Sequence, residues 1–308
     1  MSDAHSVAWL DRSEYPFASR FFETPVGRMH YVDEGAGPPV VFVHGNPSWS
    51  FEYRKVIKRL AGSRRCIAPD HIGFGLSDKP SDWSYLPSEH AVHFADFMES
   101  LNLRRVTLVV GDWGGPIGLS YALAHPDRIA GVVVTNTWMW PVQWDWYYQA
   151  FSKFVGGPLG RRLIRKRNFF ARTILRATFG DKTRLTPEIH RHYLMPLEIP
   201  QERKGCWVFP REIIGSTAWL GLAVETAPGA RRGADAHRLG DEGYRLQGKG
   251  TGSVATRFSR GTRRSIRGCR PFRGRGAAFG AGRRDRAADR RWSLSFTSLK
   301  PGPGWVVS

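Results

Sequence analysis

The chain reads as an α/β fold: a mostly parallel sheet with helices on both faces and a helical cap, with the C-terminal strands of the sheet missing. Three observations lead there. Over residues 1–138, short apolar runs alternate with amphipathic stretches at the spacing of strand–helix–strand units. Residues 139–213 are rich in Trp, Tyr, Phe, Arg and Pro and carry no strand pattern, as a helical insertion would. Beyond about Leu220, Arg and Gly take over and apolar periodicity vanishes. The 308 residues therefore divide into an N-terminal part of the core (1–138), a helical cap (139–213) and an Arg/Gly-rich remainder (214–308).

The elements follow in order. Phe17–Glu23 and Gly27–Glu34 read as a strand pair joined by Pro25-Val26-Gly27. Val40–Val43 is a short apolar run, as expected of a strand buried on both faces, and it ends at the loop His44-Gly45-Asn46-Pro47. Ser50–Leu60 reads as a helix, Arg65–Pro69 as the next strand, and Asp70–Gly75 as a glycine-rich turn. Ser88–Leu101 reads as a helix capped by Ser88. A third buried strand, Val106–Val110, leads to a helix at Pro116–Ala124 and a fourth at Ile129–Val134. Helices are expected at Gln143–Phe154 and Leu159–Thr178, and nothing is placed from Gly221 onward.

Bulk properties exclude several classes. Cys66, Cys206 and Cys269 have no CxxC spacing, which argues against a disulfide framework or a zinc site. Met1–Pro16 is polar, so no signal peptide is expected, and no apolar run is long enough to cross a membrane. A cytoplasmic enzyme fits. The formal charge of +19 would suggest a polyanionic partner, but residues 221–308 alone hold 19 Lys+Arg against 6 Asp+Glu. The first 220 residues carry 27 Lys+Arg and 21 Asp+Glu, an ordinary balance.

The chemistry concentrates at Gly111-Asp112-Trp113-Gly114-Gly115, where a strand runs into a helix. A tight strand–helix turn presents a nucleophile at the tip of a sheet, and its apex here is Asp112. A carboxylate can attack carbon and form an ester, splitting one displacement into two steps. Taken alone, the string would more readily make Asp112 the N-cap of the next helix. Its companions change the odds. His44-Gly45-Asn46-Pro47, Ala68-Pro69-Asp70-His71-Ile72-Gly73-Phe74-Gly75-Leu76-Ser77-Asp78-Lys79-Pro80 and the Asp112 turn together resemble the haloalkane dehalogenases of the α/β-hydrolase fold. The resemblance runs from about Tyr15 to Trp219.

It implies roles. Asp112 would displace halide from an sp³ carbon and become an alkyl ester. Trp113 and the side-chain amide of Asn46 would bind the leaving halide, and the backbone N–H groups of Asn46 and Trp113 would hold the oxyanion as water hydrolyses the ester. The substrate would be a small halogenated alkane, with water and halide as the other partners and no cofactor or metal. Epoxide hydrolases share an Asp nucleophile, but they usually carry an aromatic residue where Asn46 stands and use two cap tyrosines. Tyr147 and Tyr148 are adjacent, which weighs against that alternative. Trp138, Met139, Trp140, Trp144 and Trp146 are expected to pack the cap and line an apolar pocket.

The family's hydrolytic step needs a late His base with an orienting carboxylate. Only His237 lies beyond residue 220, in a stretch with no strand pattern, and Thr135-Asn136-Thr137-Trp138 offers no carboxylate after the strand that follows the nucleophile helix. Shifting the reading frame by one nucleotide offers an explanation. Codons for Ala234–His237 and Arg238–Tyr244 are then compatible with L-M-L-I and V-W-A-T-K-D, an apolar strand ending in Asp. Codons for Arg264–Ala278 are compatible with V-R-S-E-A-A-G-H-F-E-E-E-A-P, which carries the G-H-F of the family's base. The tail thus reads as a frameshifted remainder of the core, with the break near Trp219–Leu222. A genuine Arg/Gly-rich RNA-binding tail on a catalytically dead remnant is the competing reading, but it lacks RGG periodicity. A chain without base and acid is expected to alkylate Asp112 at most once and then stall.

Overall fold

The computed structural model describes residues 7–225, and everything below refers to them. The strands are β1 (Arg20–Thr24), β2 (Gly27–Glu34) and β3 (Pro39–Val43), followed by α1 (Arg54–Leu60), β4 (Arg65–Pro69) and α2 (Pro87–Ser100). Then come β5 (Val106–Asp112), α3 (Gly114–Ala124) and β6 (Ile129–Thr137). A run of helices follows: α4 (Trp146–Val155), α5 (Pro158–Arg167), α6 (Leu175–Thr178), α7 (Pro187–Leu194), α8 (Lys204–Gly215) and α9 (Thr217–Glu225). None of the described helices is long and apolar enough to cross a membrane.

The strands form one sheet in the order β1-β2-β4-β3-β5-β6. β1, β2 and β4 pair antiparallel, while β4, β3, β5 and β6 run parallel. This is the mostly parallel sheet that the spacing of apolar runs predicts, and the α/β-hydrolase fold that the resemblance implies. Val41 and Val43 of β3 face Leu108 and Val110 of β5 in register, and all four side chains are buried. Such positions must be apolar on both faces of the sheet because helices cover both sides. The register brings the C-terminal ends of β3 and β5 together, so the loop after β3 meets the turn after β5. Among the described residues β6 is an edge, paired only with β5.

Several expected boundaries shift for local reasons. The Ser50–Leu60 segment begins as a 3₁₀ turn, Ser50–Tyr53, before becoming α1. Ser88 does not cap α2. Leu86 is the extended N-cap residue with no side-chain bond, and Pro87 opens the helix, where its missing N–H costs nothing. The single helix expected over Leu159–Thr178 breaks at Asn168, which adopts left-handed φ 50° and donates its side-chain amide to Leu197 O at 3.1 Å. Asn accepts that conformation better than most residues, and a π-turn at Phe170–Ile174 follows before α6. α9 continues to Glu225, past the residue where the sequence pattern stops. The expected out-of-frame remainder beyond it, with His237 and Cys269, lies outside the described residues.

Candidate active site

The turn from β5 into α3 holds Asp112 at φ 47°, a left-handed conformation that costs a non-glycine residue roughly 1–3 kcal/mol. Packing on both sides enforces it. A Cβ on Gly114 would lie 2.0 Å from the carbonyl oxygen of Val43, and one on Gly115 would lie 1.8 Å from Thr137 Oγ1. Only glycine lets α3 start this close to β3 and β6. The Thr137 hydroxyl donates to the backbone carbonyl of Asp112 and fixes the turn from the β6 side. Asp112 is not the cap of α3: Trp113 occupies that place, with no side-chain capping bond.

The carboxyl of Asp112 instead faces the loop after β3. The backbone N–H of Asn46 donates to Asp112 Oδ1 at 2.8 Å, and the N–H of Trp113 also bonds the carboxyl. Gly45 passes so close that a Cβ there would sit 2.3 Å from Asp112 Cβ and Oδ1. The turn closes through Ser48 N–H donating to Gly45 O at 3.1 Å. Burial raises the pKa of Asp112, while the N–H groups of Asn46 and Trp113 pull it back down. Those donors already point at an oxygen that would become the carbonyl oxygen of an ester. Asn46, Asp112 and Trp113, predicted as one site, are therefore brought together. Asn46 Oδ1 is buried without a hydrogen-bond partner among the described residues.

The Asp70–Pro80 motif supports this loop from below. Asp70 accepts from Ser50 N at 2.7 Å and Leu76 N at 2.9 Å and pairs with His30 Nδ1 at 2.9 Å. Burial pushes its pKa up, but His30, His44 and the N–H of Leu76 outweigh it and hold the carboxyl below its usual range. His44 Nε2 accepts from His71 N–H at 2.8 Å, so Nδ1 carries the proton and bonds Gly45 O at 2.8 Å. Both nitrogens are committed, and burial lowers the pKa of His44 and of His71. His44 braces the loop and has no lone pair to offer a water molecule. No described histidine bonds Asp112.

Trp113 is buried, with its indole edge-on to Trp138 (centroids 4.9 Å apart) and beside Phe209 of α8 at 5.3 Å. Trp138 Nε1 is buried with no partner among the described residues. The tryptophan-rich stretch divides: Trp138, Met139 and Trp140 pack on the core, but Trp144 and Trp146 are 78% and 77% exposed. The expectation that all five line a pocket fails for these two. Asp145 caps α4 by accepting from Tyr147 N–H at 2.6 Å, and its flanking tryptophans are left on the outside of that turn. Tyr147 is also exposed.

One side chain of the site escaped the sequence reading. Glu52, in the 3₁₀ turn, accepts from Ser48 Oγ at 2.5 Å, and Ser48 is the residue that closes the Asp112-binding turn. Burial pushes the Glu52 carboxyl up to about 7, the Ser48 hydroxyl opposes this, and the negative charge of Asp112 adds to it. The available signal was a lone acid in the aromatic run Trp49-Ser50-Phe51-Glu52-Tyr53.

The sequence and the fold have clear relatives. Residues 38–185 match the family described as the alpha/beta hydrolase fold. Over 218 residues the chain is 39% identical to haloalkane dehalogenase 2 of Mycobacterium bovis, covering 71% of this chain and 75% of that protein. Over 125 residues it is 47% identical to the cis-3-alkyl-4-alkyloxetan-2-one decarboxylase of Shewanella oneidensis, covering 40% and 39% of the two chains. The crystal structure of the haloalkane dehalogenase DatA from Agrobacterium tumefaciens superposes with a TM-score of 0.62 at 28% identity, covering 70% of this chain and 77% of that one. With an Asp-tipped turn after β5, an Asn-bearing loop after β3 and relatives that share both sequence and fold over most of their length, the chain belongs to the haloalkane dehalogenase family of α/β-hydrolases.

Proposed function

We propose that Asp112 attacks the halogen-bearing carbon of a haloalkane, breaking the carbon–halogen bond and leaving an alkyl ester on its carboxyl, which water then hydrolyses to the alcohol. The observation that carries this reading is the Asp112 carboxyl itself, which is lifted onto a strained turn and oriented by the Asn46 N–H at 2.8 Å. A side chain serving only as a helix cap has no use for either feature. The indole N–H of Trp113 and the side-chain amide of Asn46 receive the leaving halide. They are neutral donors, so they stabilise an anion without a cation that would pair with Asp112 in the ground state. The same backbone N–H groups hold the oxyanion when water attacks the ester. The epoxide alternative is disfavoured by the exposed Tyr147.

We further propose that the His base and its orienting acid were lost to a frameshift near Trp219–Leu222, that residues 139–213 form the cap over the site, and that the enzyme acts in the cytoplasm on small haloalkanes. Sequencing codons 215–225 tests the frameshift. The central test is bromide release from 1-bromobutane: the chain releases bromide and gains one butyl group on the peptide bearing Asp112, and Asp112→Ala does neither. Bromide release that survives Asp112→Ala would refute the nucleophile. A gene restored in frame turns over repeatedly.

A further inference from the structure

The helices that follow β6 carry an apolar surface on their outer side. Val155 of α4 is buried, and Tyr148 and Phe151 pack against the core. Trp146, Tyr147 and Phe154 of the same helix are exposed, as is Trp144 in the turn before it. The Trp146 and Tyr147 rings meet edge-on at 6.3 Å. Beyond the Gly156-Gly157 link, Leu159 at the start of α5 is exposed as well. A helix that is apolar on both sides needs an apolar environment on both sides. The same segment is strongly basic. α5 holds Arg161, Arg162, Arg165, Lys166 and Arg167 and no acid. Between Asp145 and Asp181 the chain has eight Lys and Arg and no Asp or Glu. None of the five α5 cations is ion-paired among the described residues. With Pro158 and Pro200 they line one depression of about 630 Å³. α4 and α5 pack on each other and on α8, so the aromatic and the cationic surfaces adjoin.

We propose that this face docks on an anionic lipid bilayer, with the exposed side chains of α4 and its flanks entering the boundary between headgroups and acyl chains and the α5 cations pairing with lipid phosphates. Trp and Tyr suit that boundary because one end of the ring system is apolar and the other is wet. The unpaired cations call for an anionic occupant. Residues 221–308 cannot supply it, since they hold 19 Lys+Arg against 6 Asp+Glu. A second copy of this chain cannot supply it through the same face, because a two-fold contact sets α5 against α5. Nucleic acid would suit the cations and stack on the indoles, but it offers no apolar phase to Leu159. A bilayer answers both halves of the surface. No described helix is long and apolar enough to cross it, so the chain lies on the surface. A docked chain sits against the phase in which apolar haloalkanes collect. That consequence rests on the dehalogenation reading, whereas the docking does not.

The test is flotation of the full chain with vesicles of phosphatidylcholine and phosphatidylglycerol in equal parts, with pure phosphatidylcholine as the control. The chain is expected to float with the first and not with the second, and less at high salt. Residues 221–308 are basic and also attract anionic lipid, so two variants that leave them unchanged separate the contributions. Trp144→Ser/Trp146→Ser/Tyr147→Ser and Arg162→Glu/Lys166→Glu alter only exposed side chains, and circular dichroism verifies their fold. Each is expected to lower vesicle affinity at least ~10-fold. A parent chain that does not float, or either variant binding vesicles as tightly as the parent, overturns the proposal. Unchanged vesicle affinity with lost affinity for single-stranded RNA would assign the face to nucleic acid instead. A second measurement uses the unmutated chain. Lipids brominated along the acyl chain are expected to quench its tryptophan fluorescence, because Trp144 and Trp146 reach them while Trp49 and Trp113 stay buried in the protein. Binding without quenching would mean that cations alone hold the chain, and overturns the proposal.

Discussion

Gly45→Ala is a sharp test of how Asp112 is held, because the backbone there is not left-handed and alanine adds only one methyl carbon. That carbon would lie 2.3 Å from both Cβ and Oδ1 of Asp112. Ordinary contact requires a further ~1 Å. Asp112 cannot retreat freely. Its φ of 47° is fixed by Gly114 against Val43 O, and the Thr137 hydroxyl holds its carbonyl from the other side. The methyl group must therefore displace either the carboxyl or the whole loop that carries the Asn46 donor. Overpacking of this kind costs roughly 1–3 kcal/mol of stability. A displacement of ~1 Å at a reacting atom costs on the order of 10²-fold in rate. The assay is the rate of the bromide burst from 1-bromobutane, with circular dichroism melting to verify that the variant is folded. A folded Gly45→Ala chain whose burst stays within about twofold of the parent rate would mean that the Asp112 carboxyl does not need its place against the loop.

Three further outcomes are expected. The Glu52 carboxyl is raised in the folded chain from 4.5 to about 7, so its stabilising protonation is complete below the unfolded value and lost as pH rises through about 7. Urea denaturation should therefore lose up to roughly 3 kcal/mol between pH 4 and 8 from this group, and Glu52→Gln should flatten that slope; equal slopes would contradict the burial of the acid. Thr137→Val removes the hydroxyl donor to the Asp112 carbonyl and should cost about 1 kcal/mol in stability with a slower bromide burst, whereas an unchanged burst would show that the turn holds without it. Among the described residues β6 presents an edge with Val133 37% exposed, so Val133→Lys should reduce concentration-dependent association in light scattering, and equal scattering would clear this edge.

The sheet was legible because apolar runs such as Val40–Val43 and Val106–Val110 leave a double-buried strand as their only economical placement. The Asp112 turn was legible because glycine is compulsory at two successive positions where helix meets sheet, and the structure shows what each would strike. Local rules failed where tertiary contacts decide. Pro87 overrode Ser88 as the start of α2, and Asn168 broke a periodic helix by reaching across to Leu197 O. Glu52 was invisible for a related reason. Periodicity treats an acid in a helical turn as a solvated face, and only the fold turns this one toward Ser48. The histidines behave as the sequence reading expects, since none of the described ones is a candidate base. Eight lie in the described residues, and His44 spends both ring nitrogens on the backbone, His71 spends Nε2 on His44 O, and His30 spends its own on Asp70 and Ser19.

That distribution of histidines leads to a last prediction, chemical rescue by imidazole. A base must present an unprotonated nitrogen to water beside the ester carbonyl, and no described histidine bonds Asp112. The loop donors for the oxyanion are nonetheless in place at Asn46 and Trp113, so hydrolysis lacks a proton acceptor more than it lacks electrostatic stabilisation. A positioned base is worth ~10²–10⁴-fold, and a diffusing one recovers part of that in proportion to its concentration. Added imidazole should therefore accelerate loss of the butyl group from alkylated Asp112, linearly in its neutral form and more strongly above pH ~7 than below. The burst should be insensitive, since alkylation needs no base. N-methylimidazole should act comparably, and imidazolium at low pH should not. An alkylated chain indifferent to imidazole at every pH would locate the deficit in the oxyanion donors or in access to the ester, and would count against a missing base as the cause of the stall.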